Sequence, residues 1–303
     1  MMPYYVGIDG GGTKTAVELR TRGSAAHSRA VFGPLNCNSD RTAAAKALTD
    51  TLAWLAAQPE GLAGCDGLCI GSAGISNPDA YNFIQDIIRA GGYTGPLQIV
   101  GDQVTALAGA LGQPVGTVLI AGTGSICYAR TADGREARSG GWGHLIDDCG
   151  SGYALGRAAL ALAVQTADGR ADAQMLLQAV YQATGSQDVQ GILNYVYYSG
   201  QDKSAIAALA KAVLTCAQAG DEASLAILRQ GAAELARIAQ ALSKRLDMPR
   251  PRLALLGGLL THDSPYRVLV FEALLPYAQI VSAQHDALWG AAQLAYEKSR
   301  ETK

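Results

Sequence analysis

The chain has 303 residues and is 49% hydrophobic and 17% charged, which provides enough apolar material for two packed domains and excludes a disordered chain. Its 24 Lys and Arg residues balance 26 Asp and Glu residues. We therefore expect no nucleic-acid partner, because binding to a phosphate backbone needs a basic excess. No apolar run reaches the length of a membrane span, so we expect no membrane partner either.

Cysteine and glycine usage adds two expectations. The six cysteines are scattered, with no Cys-x-x-Cys pair and no zinc-finger spacing. Since no secretion signal is apparent, this usage predicts reduced thiols in the cytoplasm. Glycine is abundant, at 36 residues, without a Gly-X-Y period, which indicates tight turns or loops that bind a ligand.

The first 114 residues predict the element order βββαβαβα. Short apolar or alternating runs predict strands at 4–8, 15–20, 25–32, 67–71 and 97–101. Helices are predicted from Ser39 or Asp40 to Gln58, from Asn77 with Pro78 in its first turn, and from Asp102.

The remaining residues predict the same order again. Strands are predicted at 117–121, 126–130, 253–256 and 280–281, with a hairpin at Asp133-Gly134 before a further strand. Helices are predicted from about Ser151, at 268–275 and at 287–296, and extra helical segments fall around 170–220. The recurring order indicates an internal duplication. We expect one domain at 1–114 and a second at 115–303 that carries the helical insertion.

The turn between the first two strands has the sequence Asp-Gly-Gly-Gly-Thr-Lys-Thr at 9–15. Glycines let backbone N–H groups approach an anion, and Thr13 adds a hydroxyl donor. Asp9 would repel a phosphate but suits Mg²⁺, directly or through water. An ordinary glycine-rich hairpin is the alternative, but the acidic residue, three glycines, Thr and Lys together favour phosphate binding.

A second turn of the same chemical kind, Gly122-Thr-Gly-Ser125, opens the second half. Two such turns predict two domains that bind one polyphosphate from opposite sides. A double glycine, Gly257-Gly258, follows a later strand and permits either close approach of a flat ring or a simple turn before a helix.

Asp102 and a loop at 140–152 are further candidates for chemistry. Asp102 follows a predicted strand, where catalytic groups concentrate in α/β sheets, although Asp is also a good helix cap. The loop combines glycines with Asp147 and Asp148 and predicts recognition of hydroxyl groups, whereas its Trp142 and His144 are more typical of packing residues. Elsewhere, Asn36 follows Gly-Pro and offers an amide to a polar ligand.

Together these motifs resemble the N-acetylglucosamine kinase and BadF/BcrA-type ATPase family, within the actin-like ATPase and sugar kinase superfamily. The resemblance runs from Val6 to about Ala295, and Gly-Ser-Ala-Gly at 71–74 and Asp-Ala-Leu-Trp-Gly-Ala at 286–291 belong to it. It implies an α/β fold of two actin-like (ribonuclease H-like) domains, with ATP and Mg²⁺ in an interdomain cleft.

The resemblance also implies residue roles. Asp9 would organise the metal and Asp102 would be the catalytic base. The nucleotide would contact Gly11, Gly12, Thr13, Lys14, Gly122, Thr123, Gly124, Gly257 and Gly258. The sugar would contact Asn36, Ser72, Gly140, Gly141 and Asp148. The family often has Glu or Gln where this chain has Cys149, which leaves the choice of amino sugar open.

The implied reaction transfers a phosphoryl group from ATP to the 6-hydroxyl of N-acetylglucosamine or glucosamine. A homodimer through the added helices is expected by analogy. Two alternatives stay open: an ATPase that activates a dehydratase or reductase through an iron–sulfur cluster, for which Cys127 and Cys149 are candidate ligands, and a non-enzymatic sugar or nucleotide sensor.

Overall fold

The chain divides into two compact units. A computed structural model describes residues 3–21, 27–37, 39–75 and 77–301. The first unit comprises residues 1–115 with 283–303, and the second comprises 116–282. In the ranges described, no helix is long and apolar enough to cross a membrane.

The first unit contains a five-stranded sheet in the order β3-β2-β1-β4-β5. Its strands are β1 (Tyr4–Gly10), β2 (Thr15–Thr21), β3 (His27–Phe32), β4 (Cys65–Ser72) and β5 (Leu97–Gly101). The first three strands are antiparallel, and β4 and β5 run parallel to β1. Five strands were predicted here; residues 25 and 26 of the third prediction lie outside the described residues.

Three helices of this unit begin where the sequence predicts them, and the first two have a side-chain cap. They are α1 (Arg41–Ala56), α2 (Pro78–Ala90) and α3 (Asp102–Leu111). The Asp40 side chain accepts the N–H of Ala43, and the Asn77 side chain accepts the N–H of Asp79. Such caps satisfy donors that the first helical turn leaves unpaired.

The second unit repeats the topology. Its strands are β6 (Gly116–Ala121), β7 (Ser125–Arg130), β8 (Glu136–Gly140), β9 (Arg252–Leu256) and β10 (Gln279–Val281). Their order is β10-β9-β6-β7-β8, with β6, β7 and β8 antiparallel and β9 and β10 parallel to β6. Each sheet therefore places its first strand in the centre, and the predicted repeat of the strand order is confirmed.

Helices cover much of the second unit. They are α4 (Gly152–Ala167), α5 (Gln174–Thr184), α6 (Val189–Leu193), α7 (Lys203–Ala208), α8 (Ala210–Gln218), α9 (Glu222–Arg245), α10 (Gly258–Thr261) and α11 (Pro265–Leu274). A π-helical turn at Asn194–Tyr198 follows α6. Buried leucine and alanine side chains from these helices form one core with the sheet.

The last helix, α12 (Ala287–Glu301), packs on β1, β4 and α3 of the first unit. This differs from the predicted boundary, which assigned everything from 115 to 303 to the second domain. Small residues explain the packing: a Cβ at Gly7 would overlap the backbone of Ala292, and one at Gly67 would overlap the carbonyl of Ala295. Bare backbone in β1 and β4 thus lets α12 approach the sheet closely.

Candidate active site

Three predicted polar residues of the first unit lie at one edge of its sheet. Asp9 is near the end of β1, Ser72 ends β4, and Asp102 directly follows β5. In the sheet register Gly10 pairs with Ser72, which in turn pairs with Gly101. Because these parallel strands end at the same edge, residues far apart in the sequence meet where α/β sheets commonly bind ligands.

The carboxylates at this edge influence each other. Burial, and then the negative charges of Asp102 and Asp286, raise the pKa of Asp9, while Lys14 opposes the shift. Desolvation also raises the pKa of Asp102, although the residue keeps contact with solvent and its carboxylate accepts the Gln103 N–H at 3.0 Å. The edge therefore concentrates negative charge, which favours a cation or a proton nearby.

Asp286 is a member of this group for which the sequence predicted no role. It precedes α12 and accepts the N–H of Trp289 at 2.8 Å, as a cap does. Arg29 lies 3.7 Å from its other carboxylate oxygen. Asp286 begins the Asp-Ala-Leu-Trp-Gly-Ala motif, and this position could have marked it as a candidate site residue. The sequence pattern alone, however, does not show that α12 packs beside β1.

The glycine-rich turn after β1 is open to solvent. The Gly11 N–H donates to the Lys14 carbonyl at 3.0 Å and closes the turn. Gly12, Thr13 and Lys14 are exposed, and a Cβ at Gly12 would meet nothing within 4 Å. Within the described chain the backbone N–H groups of Gly12 and Thr13 have no hydrogen-bond acceptor, so they are available to an anion.

Ser72 and Asn36 lie beside this turn. The Leu35 N–H donates to the Gly11 carbonyl at 2.9 Å, and the Ser72 hydroxyl donates to the Leu35 carbonyl at 3.3 Å. The next residue, Asn36, is half-buried, and its backbone carbonyl accepts the N–H groups of Ser39 and Asp40 at 3.1 Å each. Leu35 thus connects two predicted sugar-binding residues to the predicted phosphate-binding turn, Ser72 through its hydroxyl and Asn36 as the next residue in the chain.

In the second unit, the turn at 122–125 is held against the start of α4. The Gly122 N–H donates to the Gly124 carbonyl at 2.9 Å. The N–H groups of Gly152 and Tyr153 donate to the carbonyls of Gly122 and Thr123 at 2.8 and 3.2 Å. The turn therefore has a fixed conformation, with the Thr123 side chain exposed.

A pocket of about 410 Å³ adjoins this turn within the second unit. Three predicted nucleotide-binding residues, Gly122, Thr123 and Gly258, line it together. The other lining residues are Gly152, Ser204, Ala207, Ala208, Ala210, Lys211, Leu214, Leu259 and His262. A largely apolar wall with a few polar groups and one Lys suits a flat, partly apolar ligand that bears an anion.

Gly257 precedes the pocket-lining Gly258 but does not itself line the pocket. Its importance lies in its backbone conformation. Its φ is +87°, and a Cβ there would overlap the carbonyl of Ala121. Position 257 therefore needs glycine so that α10 can begin close to β6. At Gly258 a Cβ would meet nothing within 4 Å, which agrees with its open position on the pocket.

The predicted hydroxyl-recognising loop has an irregular backbone. Gly140 and Gly141 have φ of +76° and +74°, and Asp148, although not a glycine, has φ of +57°. Asp148 is only 5% exposed. Its Oδ2 atom lies 2.9 Å from the position that a Cβ at Gly124 would occupy, so glycine in the 122–125 turn makes room for this carboxylate.

Two aromatic residues of this loop were expected to pack. His144 does so, with its ring 4.7 Å from the Tyr153 ring. Trp142 packs against the Arg138 guanidinium, which lies 3.8 Å from its ring centroid, while the residue as a whole stays 58% exposed. That Trp142 packs rather than binds a ligand stays a prediction.

All six cysteines are free thiols, and five are buried. Burial raises the pKa of Cys127 far above its usual range. Cys149 is half-buried, and desolvation followed by the charges of Asp147 and Glu234 raises its pKa as well. In the residues that the structure describes, no three metal-ligating side chains lie together.

The paired sheets, each with three antiparallel strands followed by two parallel ones, define the fold shared by actin-like ATPases and sugar kinases. The profile of the BadF/BadG/BcrA/BcrD ATPase family matches residues 6–295. The chain therefore belongs to this family, which confirms the resemblance found in its motifs.

Known proteins of similar sequence and structure agree with this membership. The chain is 35% identical over 302 residues to the N-acetylmuramic acid/N-acetylglucosamine kinase of Clostridium acetobutylicum, covering 97% of this chain and 98% of the relative. It is 26% identical over 316 residues to the N-acetyl-D-glucosamine kinase of Dictyostelium discoideum, covering 98% of each. A crystal structure from Chromobacterium violaceum, of a protein proposed to be an N-acetylglucosamine kinase, matches with a TM-score of 0.77 and 29% identity over 97% of this chain and 99% of that one.

Proposed function

We propose that this protein phosphorylates an amino sugar with ATP, with N-acetylglucosamine or glucosamine as acceptor and the 6-hydroxyl as the site of transfer. The observation that carries the proposal is the position of Asp102 beside Asp9 at one sheet edge, with a raised pKa at both carboxyls. The names of the two sequence relatives support an N-acetylated sugar, and one of them adds N-acetylmuramic acid as an acceptor to be tested.

In this proposal Asp102 orients the acceptor hydroxyl and takes its proton. The hydroxyl oxygen forms a bond to the γ-phosphorus, the bond between that phosphorus and the β,γ-bridging oxygen breaks, and ADP leaves. A carboxylate whose pKa is raised is a stronger base while it is still ionised near neutral pH. Such general base catalysis contributes about 10²–10⁴ in rate, and alignment of the hydroxyl with the phosphate contributes further.

The turns at 11–14 and 122–124 would bind phosphate oxygens. Support for the first turn comes from the unused N–H groups of Gly12 and Thr13, and for the second from its position on the 410 Å³ pocket. Gly258 and the apolar wall of that pocket would contact adenosine, with Gly257 fixing the backbone beneath. Asn36, Ser72, Gly140, Gly141 and Asp148 would bind the sugar.

The residues near Asp9 fit Mg²⁺. Asp9 provides a hard carboxylate oxygen, and the neighbouring charges of Asp102 and Asp286 make that location attractive to a cation. Because no three ligating side chains lie together among the described residues, Asp9 would hold the ion through water and with nucleotide oxygens, as proteins commonly hold Mg²⁺. When bound, the ion would neutralise charge on the phosphates.

The other two hypotheses have less support. A dehydratase-activating ATPase would need cysteines placed for a cluster, whereas Cys127 is fully buried within β7. A sensor would not need a base, whereas Asp102 occupies the position expected of one. The relatives from Clostridium acetobutylicum and Dictyostelium discoideum are both named as sugar kinases.

The test of the proposed function is ADP release measured over a panel of sugars, with Asp102→Asn beside the native protein. We expect N-acetylglucosamine, glucosamine or N-acetylmuramic acid to stimulate ADP release, and Asp102→Asn to lower turnover about 10²–10⁴-fold with nucleotide binding retained. The exposed Asp263→Asn is the control and should leave turnover unchanged. Native turnover in Asp102→Asn would contradict the assignment of the base.

We further propose a homodimer formed through the added helices and a cytoplasmic location. The first is supported by analogy and by Tyr197 and Tyr198, which are 70% and 79% exposed at the π-helical turn. The second is supported by six free thiols. Light scattering of the purified protein would measure the mass directly.

A further inference from the structure

Asp148 adopts a conformation that is costly for a residue with a side chain. Its φ of +57° lies in the left-handed region, which residues with a side chain adopt uncommonly, although Asp and Asn do so more readily than the others. The residue is 5% exposed, and in the described chain no group donates a hydrogen bond to its carboxylate. The backbone that follows it is held by two side-chain hydrogen bonds.

Two buried hydroxyls hold the backbone immediately after Asp148. The Ser125 hydroxyl, at the start of β7, donates to the carbonyl of Cys149 at 2.7 Å. The Tyr266 hydroxyl, in the first turn of α11, donates to the carbonyl of Gly150 at 2.5 Å. Ser125 is 4% exposed and Tyr266 is fully buried. Consecutive carbonyls are thus fixed by two elements distant in sequence, which leaves the Asp148 backbone little freedom.

The surroundings of Tyr266 are suited to this contact. Burial raises the pKa of its phenol well above the usual range, so the hydroxyl stays protonated and can only donate to a carbonyl. A Cβ at Gly231 of α9 would lie 2.9 Å from that hydroxyl, and one at Gly150 would lie 2.6 Å from the Gly231 carbonyl. The paired glycines therefore let the loop, α9 and the Tyr266 hydroxyl meet closely.

We propose that Tyr266 and Ser125 are positioning residues that hold Asp148 for sugar binding. This inference rests on the proposed function, in which the Asp148 carboxylate binds hydroxyls of the acceptor. The carboxylate lies against Gly124 in the proposed phosphate-binding turn. A loop that shifts by less than an ångström would move the sugar relative to the phosphate, which is enough to weaken binding.

The test compares Tyr266→Phe with Tyr128→Phe. Each variant removes one tyrosine hydroxyl, but that of Tyr128 donates to the Glu136 side chain at 2.6 Å instead of to the backbone of the Asp148 loop. We expect Tyr266→Phe to raise the KM for the sugar about tenfold, because a released loop would hold Asp148 in the binding conformation only about a tenth of the time, and to leave the KM for ATP within about twofold. Tyr128→Phe should leave both KM values unchanged.

A double variant shows whether Tyr266 acts through Asp148. Asp148→Asn alone should raise the KM for the sugar, and adding Tyr266→Phe should raise it no further, because residues that act as one unit are not additive. Ser125→Ala should reproduce the effect of Tyr266→Phe, and it keeps the proposal testable if the latter does not fold.

The possible failures are distinct. If Asp148→Asn binds sugar normally, the proposed sugar site is wrong. If Asp148→Asn loses sugar affinity but Tyr266→Phe and Ser125→Ala do not, or if the double variant shows the product of two independent effects, the positioning role is overturned while the proposed function stands.

Discussion

At the scale of single residues, the sheet edge of the first unit keeps carboxylates where their charge is unfavourable. Asp9 is the clearest case, because burial and two neighbouring carboxylates raise its pKa. Such an arrangement lowers stability and is typical of sites that bind a ligand of opposite charge. The cost of the arrangement can be measured through its pH dependence.

We predict that Asp9→Asn raises the thermal stability of the protein at neutral pH. The pKa of Asp9 is higher in the folded than in the unfolded state, so the unfolded state loses its proton first as pH rises, and ionisation destabilises the fold. The penalty is complete above the folded pKa and absent well below 3.8, the ordinary value. The gain from Asn should therefore appear in melting curves at pH 7 and disappear as pH falls.

Asp133→Asn is the matched control of opposite sign. The Thr131 hydroxyl and the Arg135 side chain lower the pKa of Asp133 to about 2, so its ionised form contributes stability that is present above the unfolded pKa and is lost as pH falls toward 2. This variant should melt lower at pH 7. If Asp9→Asn also melts lower at pH 7, the assigned charge repulsion is wrong.

Two adjacent glycines should respond differently to alanine. Gly257→Ala combines a left-handed φ with a collision against the Ala121 carbonyl, and we expect a loss of about 1–3 kcal/mol or more in the free energy of unfolding. Gly258→Ala has open space for its methyl and should fold normally, but the methyl would enter the pocket and raise the KM for ATP. Denaturant melts and kinetics check both. Normal ATP binding by Gly258→Ala would contradict the placement of adenosine.

At the scale of elements, α12 completes the first unit from the other end of the chain. Its close approach depends on glycine in β1, where a Cβ at Gly7 would overlap the backbone of Ala292. Backbone cannot move aside as a flexible side chain can, so the whole helix would have to shift.

We therefore predict that Gly7→Ala destabilises the protein by more than about 2 kcal/mol, while Gly33→Ala, where a Cβ meets nothing within 4 Å, changes stability little. Chemical denaturation measures both, and limited proteolysis should show α12 cut first in Gly7→Ala. Equal stability of the two variants would show that α12 does not need this contact.

The elements themselves were largely predictable because each has a local signal. Asp40 and Asn77 cap the helices that their positions suggest, and glycine-rich turns separate the predicted strands. The predicted helix at 268–275 begins earlier, at Pro265, where Ser264 caps it and accepts the Arg267 N–H at 3.1 Å. The Ser-Pro pair was readable in the sequence as a helix start.

The placement of α12 and the conformation of Asp148 were not predictable in this way. A helical pattern identifies the buried face of a helix but not the sheet that covers it, so α12 was assigned to the wrong unit. Asp tolerates a positive φ better than most residues, but its type alone does not show that φ is positive at Asp148 or that Ser125 and Tyr266 bind the backbone that follows it. Tertiary contacts decide both features.

At the scale of the whole molecule, one topology occurs twice and carries different groups each time. The sheet edge of the first unit carries Asp9, Ser72 and Asp102, whereas the second unit carries a pocket next to the turn at 122–125. The repeat was readable from element order and from two similar turns. The different residues at the two sheets became apparent only from which side chains follow each strand.

The identity of the product tests most sharply whether Asp102 directs phosphate to the sugar's 6-hydroxyl. The protein is incubated with ATP, Mg²⁺ and N-acetylglucosamine labelled with ¹³C, and carbon–phosphorus couplings are recorded by NMR, with Asp102→Asn in parallel. We expect coupling to phosphorus at C6 with the native protein and almost none with Asp102→Asn over the same time. Phosphate on another carbon, ADP formed without any phosphorylated sugar, or equal product from Asp102→Asn would contradict it.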